Sequence, residues 1–246
     1  MPILTIDFHN TLVECDEWFE LEVRTLVSDV LDWAESQGAS PGVAVPRQQV
    51  DGLYRKLRLA IHHHGHEVNA YRSVVTVLGR LGVELPDDVV TEAVDSVMAD
   101  ALHHATPVRG AGELIKSIRE TGVPIAVVSS AVHHDFLEWS LERFGMREHI
   151  EIVVTSASAG FYKSRPEIYW TALAALGQPA SSGVHLGDSL RFDVGGAQQA
   201  GMRSIWFDRK GIGTGRDEPH MPQLVVTDLV DAHEPVMGVL HANGRC

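Results

Sequence analysis

Ile3-Leu4-Thr5-Ile6-Asp7-Phe8-His9-Asn10-Thr11-Leu12 opens as a run of apolar and β-branched residues and halts at Asn10. A run this short, closed by a turn residue, is expected to be a buried strand. A buried strand that ends on Asp7 delivers a carboxylate to the carboxyl edge of a parallel sheet, where open α/β folds bind ligands. Three later segments repeat the arrangement in order: Val127-Val128-Ser129-Ser130, Lys163-Ser164-Arg165-Pro166 and Gly187-Asp188-Ser189-Leu190-Arg191-Phe192-Asp193. Acidic, hydroxyl and ammonium groups would then gather at one sheet edge, a constellation suited to a phosphoryl group and a divalent cation.

Outward from the first strand, the period changes from two to about 3.6 between Glu17 and His104. Trp18, Leu21 and Thr25 lie on one face of a long helix and Phe19, Val23, Leu26 and Val30 on the adjoining face, with a turn by composition at 38–42. Further helices are expected over 47–63, 67–81 and 87–103. After Pro107, strands at 124–129, 151–155, 183–188, 203–207 and 224–227 alternate with helices at 110–121, 133–144, 165–177 and 192–201, the pattern of a parallel sheet covered on both faces. The expected fold class is α/β, a doubly wound parallel sheet (a Rossmann-like core) with an inserted α-helical cap domain. The core comprises 1–15 and 105–246 and the cap 16–104. From Asp231 onward the periodicity is weak, so the tail is expected to be loosely held.

Composition narrows the function. The chain has 246 residues, 44% of them hydrophobic, enough for one substantial core with an insert. A formal charge of −13 and a pI near 5.4 leave no diffuse basic field, which argues against nucleic acid or an anionic membrane surface as partner. Two cysteines make no disulfide framework, and no apolar run reaches the ~20 residues of a membrane span, so a cytoplasmic location is expected. Oligomeric state is not legible.

The four segments, in this order and each at a strand end, resemble those of the haloacid dehalogenase superfamily of hydrolases, in its phosphatase-like branch with a helical cap inserted after the first motif. Gly201-Met202-Arg203-Ser204-Ile205-Trp206-Phe207 is similar too, so the resemblance spans nearly the whole chain. It implies that Asp7 is a nucleophile forming an aspartyl-phosphate, which divides one hydrolysis into two easier steps. It implies Mg²⁺ as cofactor, held by Asp7, the main-chain carbonyl of His9, Asp188 and Asp193. Carboxylates without a matched Cys or His set favour a hard cation. Ser129 would donate to a phosphoryl oxygen, and Lys163 would offset the negative charge of nucleophile and phosphate. The implied substrate is a small phosphorylated metabolite.

One position departs from the pattern. Phosphatases of this kind carry a second Asp two residues after the nucleophile, as acid and base; here that residue is His9. An unperturbed imidazole, roughly a quarter protonated at pH 7, has both forms available for the same work. The next residue, usually Gly, is Asn10, which tolerates positive φ. Two other functions compete: carbon–halogen hydrolysis of a 2-haloacid, which needs no cation and is disfavoured by Asp188 and Asp193, and a binding protein that has lost the chemistry. Elsewhere plain readings prevail. Arg47, Arg55, Arg58, Tyr71 and Arg72 are read as helix surface, His62 to His66 as a solvated helix end, His103-His104 and His133-His134 likewise, and Cys15 as packed near a hinge.

Overall fold

Parallel strands need covering helices on both faces, and so read as unbroken apolar runs. The computed structural model describes residues 1–39, 45–211, 213 and 219–242. Its strands are β1 (Ile3–Ile6), β2 (Val13–Glu14), β3 (Thr106–Pro107), β4 (Ile125–Ser129), β5 (Ile152–Thr155), β6 (Gly183–Gly187), β7 (Arg203–Phe207) and β8 (Leu224–Val226). The helices of the insertion are α1 (Asp16–Glu20), α2 (Leu26–Ser36), α3 (Arg47–His64), α4 (Ala70–Gly79) and α5 (Asp87–Leu102). Those that follow are α6 (Ala111–Glu120), α7 (His134–Arg143), α8 (Ser156–Ala159), α9 (Glu167–Ala175), α10 (Gly195–Gln199) and α11 (His233–His241). Among the described residues no helix is long and apolar enough to cross a membrane.

Six strands form one parallel sheet in the order β5-β4-β1-β6-β7-β8. From β1 the chain winds outward first through β4 and β5, then on the other side through β6, β7 and β8. The switch point of this doubly wound, Rossmann-like sheet therefore lies at β1, and Asp7 is the first residue past its carboxyl end. Alternate residues serve opposite faces, as a pleated strand requires. Leu4, Ile6, Ile125 and Val127 join the larger core with α6, α7 and the inserted helices. Ile3, Ala126 and Val128 pack with Ile168, Ala172 and Ala197 of α9 and α10.

The insertion leaves and returns through a two-residue antiparallel ribbon that sequence periodicity does not reveal: Val13 pairs with Pro107 and Glu14 with Thr106. Its aromatic face joins the core of the sheet, with Trp18 stacked on Phe136 of α7 at 5.2 Å and edge-on to Phe8 at 5.9 Å. The first long helix is interrupted by a π turn, Leu21–Thr25, between α1 and α2. The extra residue lets Trp18, Leu26 and Val27 stay buried while Phe19 and Val23 face a cleft. The helix closes on Gly38 (φ 81°), and residues 40–44 of the expected turn lie outside the described residues.

The expectation of a loose tail is corrected. His233–His241 forms α11, with Val236 and Leu240 buried. Arg203 on β7 donates to the carbonyl oxygens of Val239 and Ala242, the latter at 2.8 Å, satisfying orphan acceptors at the helix end. Residues 243–246 lie outside the described residues.

Candidate active site

The turn after β1 is built by the main chain. Leu12 N donates to Phe8 O at 2.8 Å and Asn10 N to Val13 O at 2.8 Å, while Asn10 takes φ 63°. That left-handed conformation is tolerable for Asn, the residue found where Gly is usual. The turn brings Thr11 under Asp7, and its Oγ1 donates to Asp7 Oδ2 at 3.1 Å.

Lys163 crosses from the loop before α9 and is anchored by its own amide, which donates to Ser130 Oγ at 3.0 Å. Its Nζ donates to Asp7 Oδ1 and, at 2.6 Å, to Asp193 Oδ1. Asp193 sits in a second π turn, Leu190–Val194, where Ser189 N donates to its Oδ2 at 2.8 Å. From below, the buried ring of His185 donates through Nε2 to Asp193 Oδ1 at 3.1 Å, and its Nδ1 lies 2.8 Å from Thr5 Oγ1. Gly187 is required here, since a Cβ would lie 2.5 Å from Asp193 Oδ2.

Asp7, Asp188 and Asp193 bring one carboxylate oxygen each to within 4.8 Å of one another. Two oxygens bound to one Mg²⁺ at about 2.1 Å sit no more than about 4.2 Å apart, so a small closure suffices for a shared ion. Three carboxylates face one ammonium, and they cannot all ionise without further positive charge. Burial raises Asp7 to about 7 despite Lys163 and, with the Asp193 charge, raises Asp188 to about 6. Asp193 goes the other way: Lys163 and the His185 hydrogen bond outweigh its burial and hold it well below the usual range. Lys163 is raised, because its two carboxylate partners outweigh its own burial. An all-oxygen donor set with more carboxylates than its ammonium can balance fits a hard divalent cation.

His9 lines the same cleft but is packed rather than poised. Its ring stacks on Phe19 at 5.1 Å and stands edge-on to Trp18 at 5.2 Å, and its Nε2 is buried without a partner. Burial lowers it to about 4, with Asp16 opposing and Arg209 assisting. The mixture of protonation states expected of a free imidazole is therefore replaced by a neutral ring.

The cleft encloses about 420 Å³ and is lined by Asp7, His9, Ser129, Lys163, Asp188 and Asp193, so every expected site residue converges there. Ser129 is buried at the end of β4. The opposite wall comes from the insertion and corrects the surface reading of Arg58. Arg58 is 8% exposed, its guanidinium 2.6 Å from Glu67 Oε1 and 3.7 Å from Glu22 Oε2. Glu22 accepts from the amide of Val132, just past Ser129, and Glu67 accepts from Ser156 Oγ at 2.6 Å, so the network ties inserted helices to loops at the sheet edge. Burial raises Glu22 to about 8 against the pull of Arg58. His62 also leaves its expected place at a solvated end, packing edge-on against Phe192 at 5.0 Å. His133 is buried as the N-cap of α7, with Nε2 3.0 Å from Asp95 Oδ1 and from Tyr71 OH. Cys15 is packed as expected, its Sγ donating to Ala101 O at 3.3 Å.

A doubly wound, Rossmann-like sheet thus presents a carboxylate, a lysine and an acidic pair at its switch point, walled by inserted helices. The model of the haloacid dehalogenase-like hydrolases matches residues 72–207, and the chain belongs to that family. Haloacid dehalogenase-like hydrolase domain-containing protein 3 of Mus musculus is 36% identical over 216 residues, 83% of this chain and 81% of that protein. Ribulose-1,5-bisphosphate 5-phosphatase of Halopiger xanaduensis is 31% identical over 114 residues, 46% of this chain and 47% of that protein. The first curated relatives are matched over less than half of their length, 38 to 47%. Among solved structures, 2-haloacid dehalogenase from Pseudomonas syringae pv. Tomato DC3000 superposes with a TM-score of 0.69 at 21% identity, covering 96% of this chain and 98% of that one, which shows the shared fold.

Proposed function

We infer that the protein is a Mg²⁺-dependent phosphatase acting on a small phosphorylated metabolite, with residues 16–104 as a cap over a core of 1–15 and 105–246. The observation that carries this reading is the trio Asp7, Asp188 and Asp193 beside the single ammonium of Lys163, which leaves two more carboxylates than ammonium groups. A carbon–halogen hydrolase has no use for that acidic surplus, whereas a phosphatase needs it to hold a cation. Mg²⁺, held by Asp7, Asp188, Asp193 and the main-chain carbonyl of His9, would neutralise phosphoryl oxygens that otherwise repel the nucleophile.

A carboxylate oxygen of Asp7 forms the new bond to phosphorus as the ester P–O bond breaks, giving an aspartyl-phosphate and a free alkoxide or phenoxide. Thr11 and Lys163 hold the Asp7 carboxylate in one orientation, and Lys163 with the hydroxyl of Ser129 meets the charge on the transferring group. Water then attacks the phosphoaspartate. His9, neutral in its packed setting, is available to accept that water's proton, though as a weak base, and is poorly suited to protonate the leaving oxygen in the first step. The enzyme should therefore favour leaving groups that depart without a proton.

The test is phosphate release from phenyl phosphate and from an alkyl phosphate, with Mg²⁺ and with EDTA. Asp7→Asn should abolish turnover, and His9→Ala should slow it by about 10²–10⁴-fold with phosphoenzyme accumulating on intact-mass analysis. Turnover that persists in EDTA, or chloride release from 2-chloropropionate, would overturn the proposal.

A further inference from the structure

Beside the cleft over Asp7 lies a second chamber of about 360 Å³. The two share Phe19, Val23, Arg58, His62 and Tyr162, so they adjoin at these side chains. The outer space adds Arg24 from the π turn and Arg55 and Leu59 from α3. The imidazole of His62 is lowered by burial and by the nearby Arg191, Arg58 and His63, which favours the uncharged ring. Among the described residues, the side chains lining the chamber that carry a standing charge are arginines, in a chain of formal charge −13.

Two of the three guanidinium groups already have carboxylates. Arg24 holds Glu20 at 3.0 Å across one helical turn, and Arg58 holds Glu67 at 2.6 Å. Arg55 stands apart: its Nε donates to Asp51 O at 3.3 Å, and among the described residues no carboxylate pairs with it. Its two terminal nitrogens form the fork that matches a carboxylate or phosphate in two parallel hydrogen bonds. The side walls suit an uncharged body, since Phe19 and Leu59 present apolar surface there at 45% and 68% exposure.

Resting on the phosphomonoester reading, we propose that the outer chamber binds, through Arg55, an anionic group at the far end of the substrate's leaving group. The preferred substrate is then a phosphomonoester with an apolar or planar body and a distal carboxylate or phosphate. Arg24 frames the same end, and its pairing with Glu20 makes it the weaker contributor. Because Arg55 is exposed, its contribution is screened by salt.

The experiment is calorimetric binding of non-hydrolysable ligands to the whole protein in Mg²⁺ buffer. Phenylphosphonate is compared with 4-(2-carboxyethyl)phenylphosphonate and 4-(2-phosphonoethyl)phenylphosphonate, and the two anionic arms distinguish the source of the charge. Either anionic ligand should bind about tenfold tighter than phenylphosphonate, as a charge-assisted pair provides. That ratio should fall toward one in Arg55→Ala and with added NaCl. It should persist in Lys56→Ala, which removes an exposed cation from the next position of α3 that does not line the chamber. Equal binding of all three ligands, failure to bind any, or an anionic advantage that survives Arg55→Ala would overturn the proposal. Hydrolysis of phenyl phosphate by the same preparations reports on the phosphatase reading separately: absent turnover with intact discrimination removes that reading and leaves the anion site standing.

Discussion

Replacing Lys163 by Met removes the ammonium that pairs with two of the three clustered carboxylates and keeps the length of the side chain. In the parent, Lys163 is 3% exposed and contacts Asp7 and Asp193, which are 6% and 1% exposed. Breaking a buried ion pair while leaving its partners in place costs about 3–5 kcal/mol. For a chain of this size each kcal/mol shifts Tm by about 2–4 °C, so thermal unfolding followed by circular dichroism in EDTA at pH 7.5 should fall by about 6–20 °C. The pH dependence gives the cause. Asp193 in the parent is held below its unfolded value of about 3.9, so its stabilisation is present above that pH and is lost as pH falls through the lower folded value. Without the ammonium, Asp193 is raised above the unfolded value and Asp7, already raised to about 7 in the parent, is raised further, so the variant gains more stability than the parent does as pH falls from 7.5 to 5. The gap in Tm should therefore narrow on acidification, and Mg²⁺ should narrow it at pH 7.5 by binding the folded form. A loss under 2 °C at pH 7.5, or an equal gap at both pH values, would refute the view that these charges balance one another.

Glu22 has the opposite sign. Its folded value of about 8 exceeds the ordinary 4.5, so its contribution is full below pH 4.5 and erodes as pH rises toward 8. Glu22→Gln, which cannot ionise, should flatten the decline of Tm between pH 5 and 9 and melt above the parent at pH 9; unchanged slopes would count against a buried proton. Gly187→Ala would set a Cβ 2.5 Å from Asp193 Oδ2, turning that carboxylate away from Lys163 and His185. Turnover and Mg²⁺ affinity should both fall more than tenfold, with destabilisation held to about 1–3 kcal/mol, as measured by titration with Mg²⁺ and by melting.

The core of the sheet was legible because strands buried on both faces are written as apolar runs, and the site segments because each ends such a run. The insertion was legible as helices, since amphipathic spacing survives whatever the helices pack against. What escaped were polar residues whose partners are remote. Arg58 looks like helix surface until Glu22 and Glu67 arrive from other elements. His185 lies inside an apolar run and reads as strand filling, although it braces Asp193 from beneath. His133 caps a helix and meets Tyr71 and Asp95 across the junction, a contact that no local pattern encodes. The tail failed for a related reason: the groups that dock α11 lie on β7, and only two of its own side chains, Val236 and Leu240, are buried.

The ribbon of β2 and β3 bears on how such a chain finds its fold. Leu4 on β1 must align with Ile125 on β4, more than a hundred positions downstream, a costly search for an open coil. Pairing Val13 with Pro107 fastens the two ends of the excursion side by side, so that once the intervening helices have condensed, the remaining path between the strands is a short tether. The inserted helices thus shorten the route to parallel pairing, and their early collapse would set the pace at which the sheet nucleates.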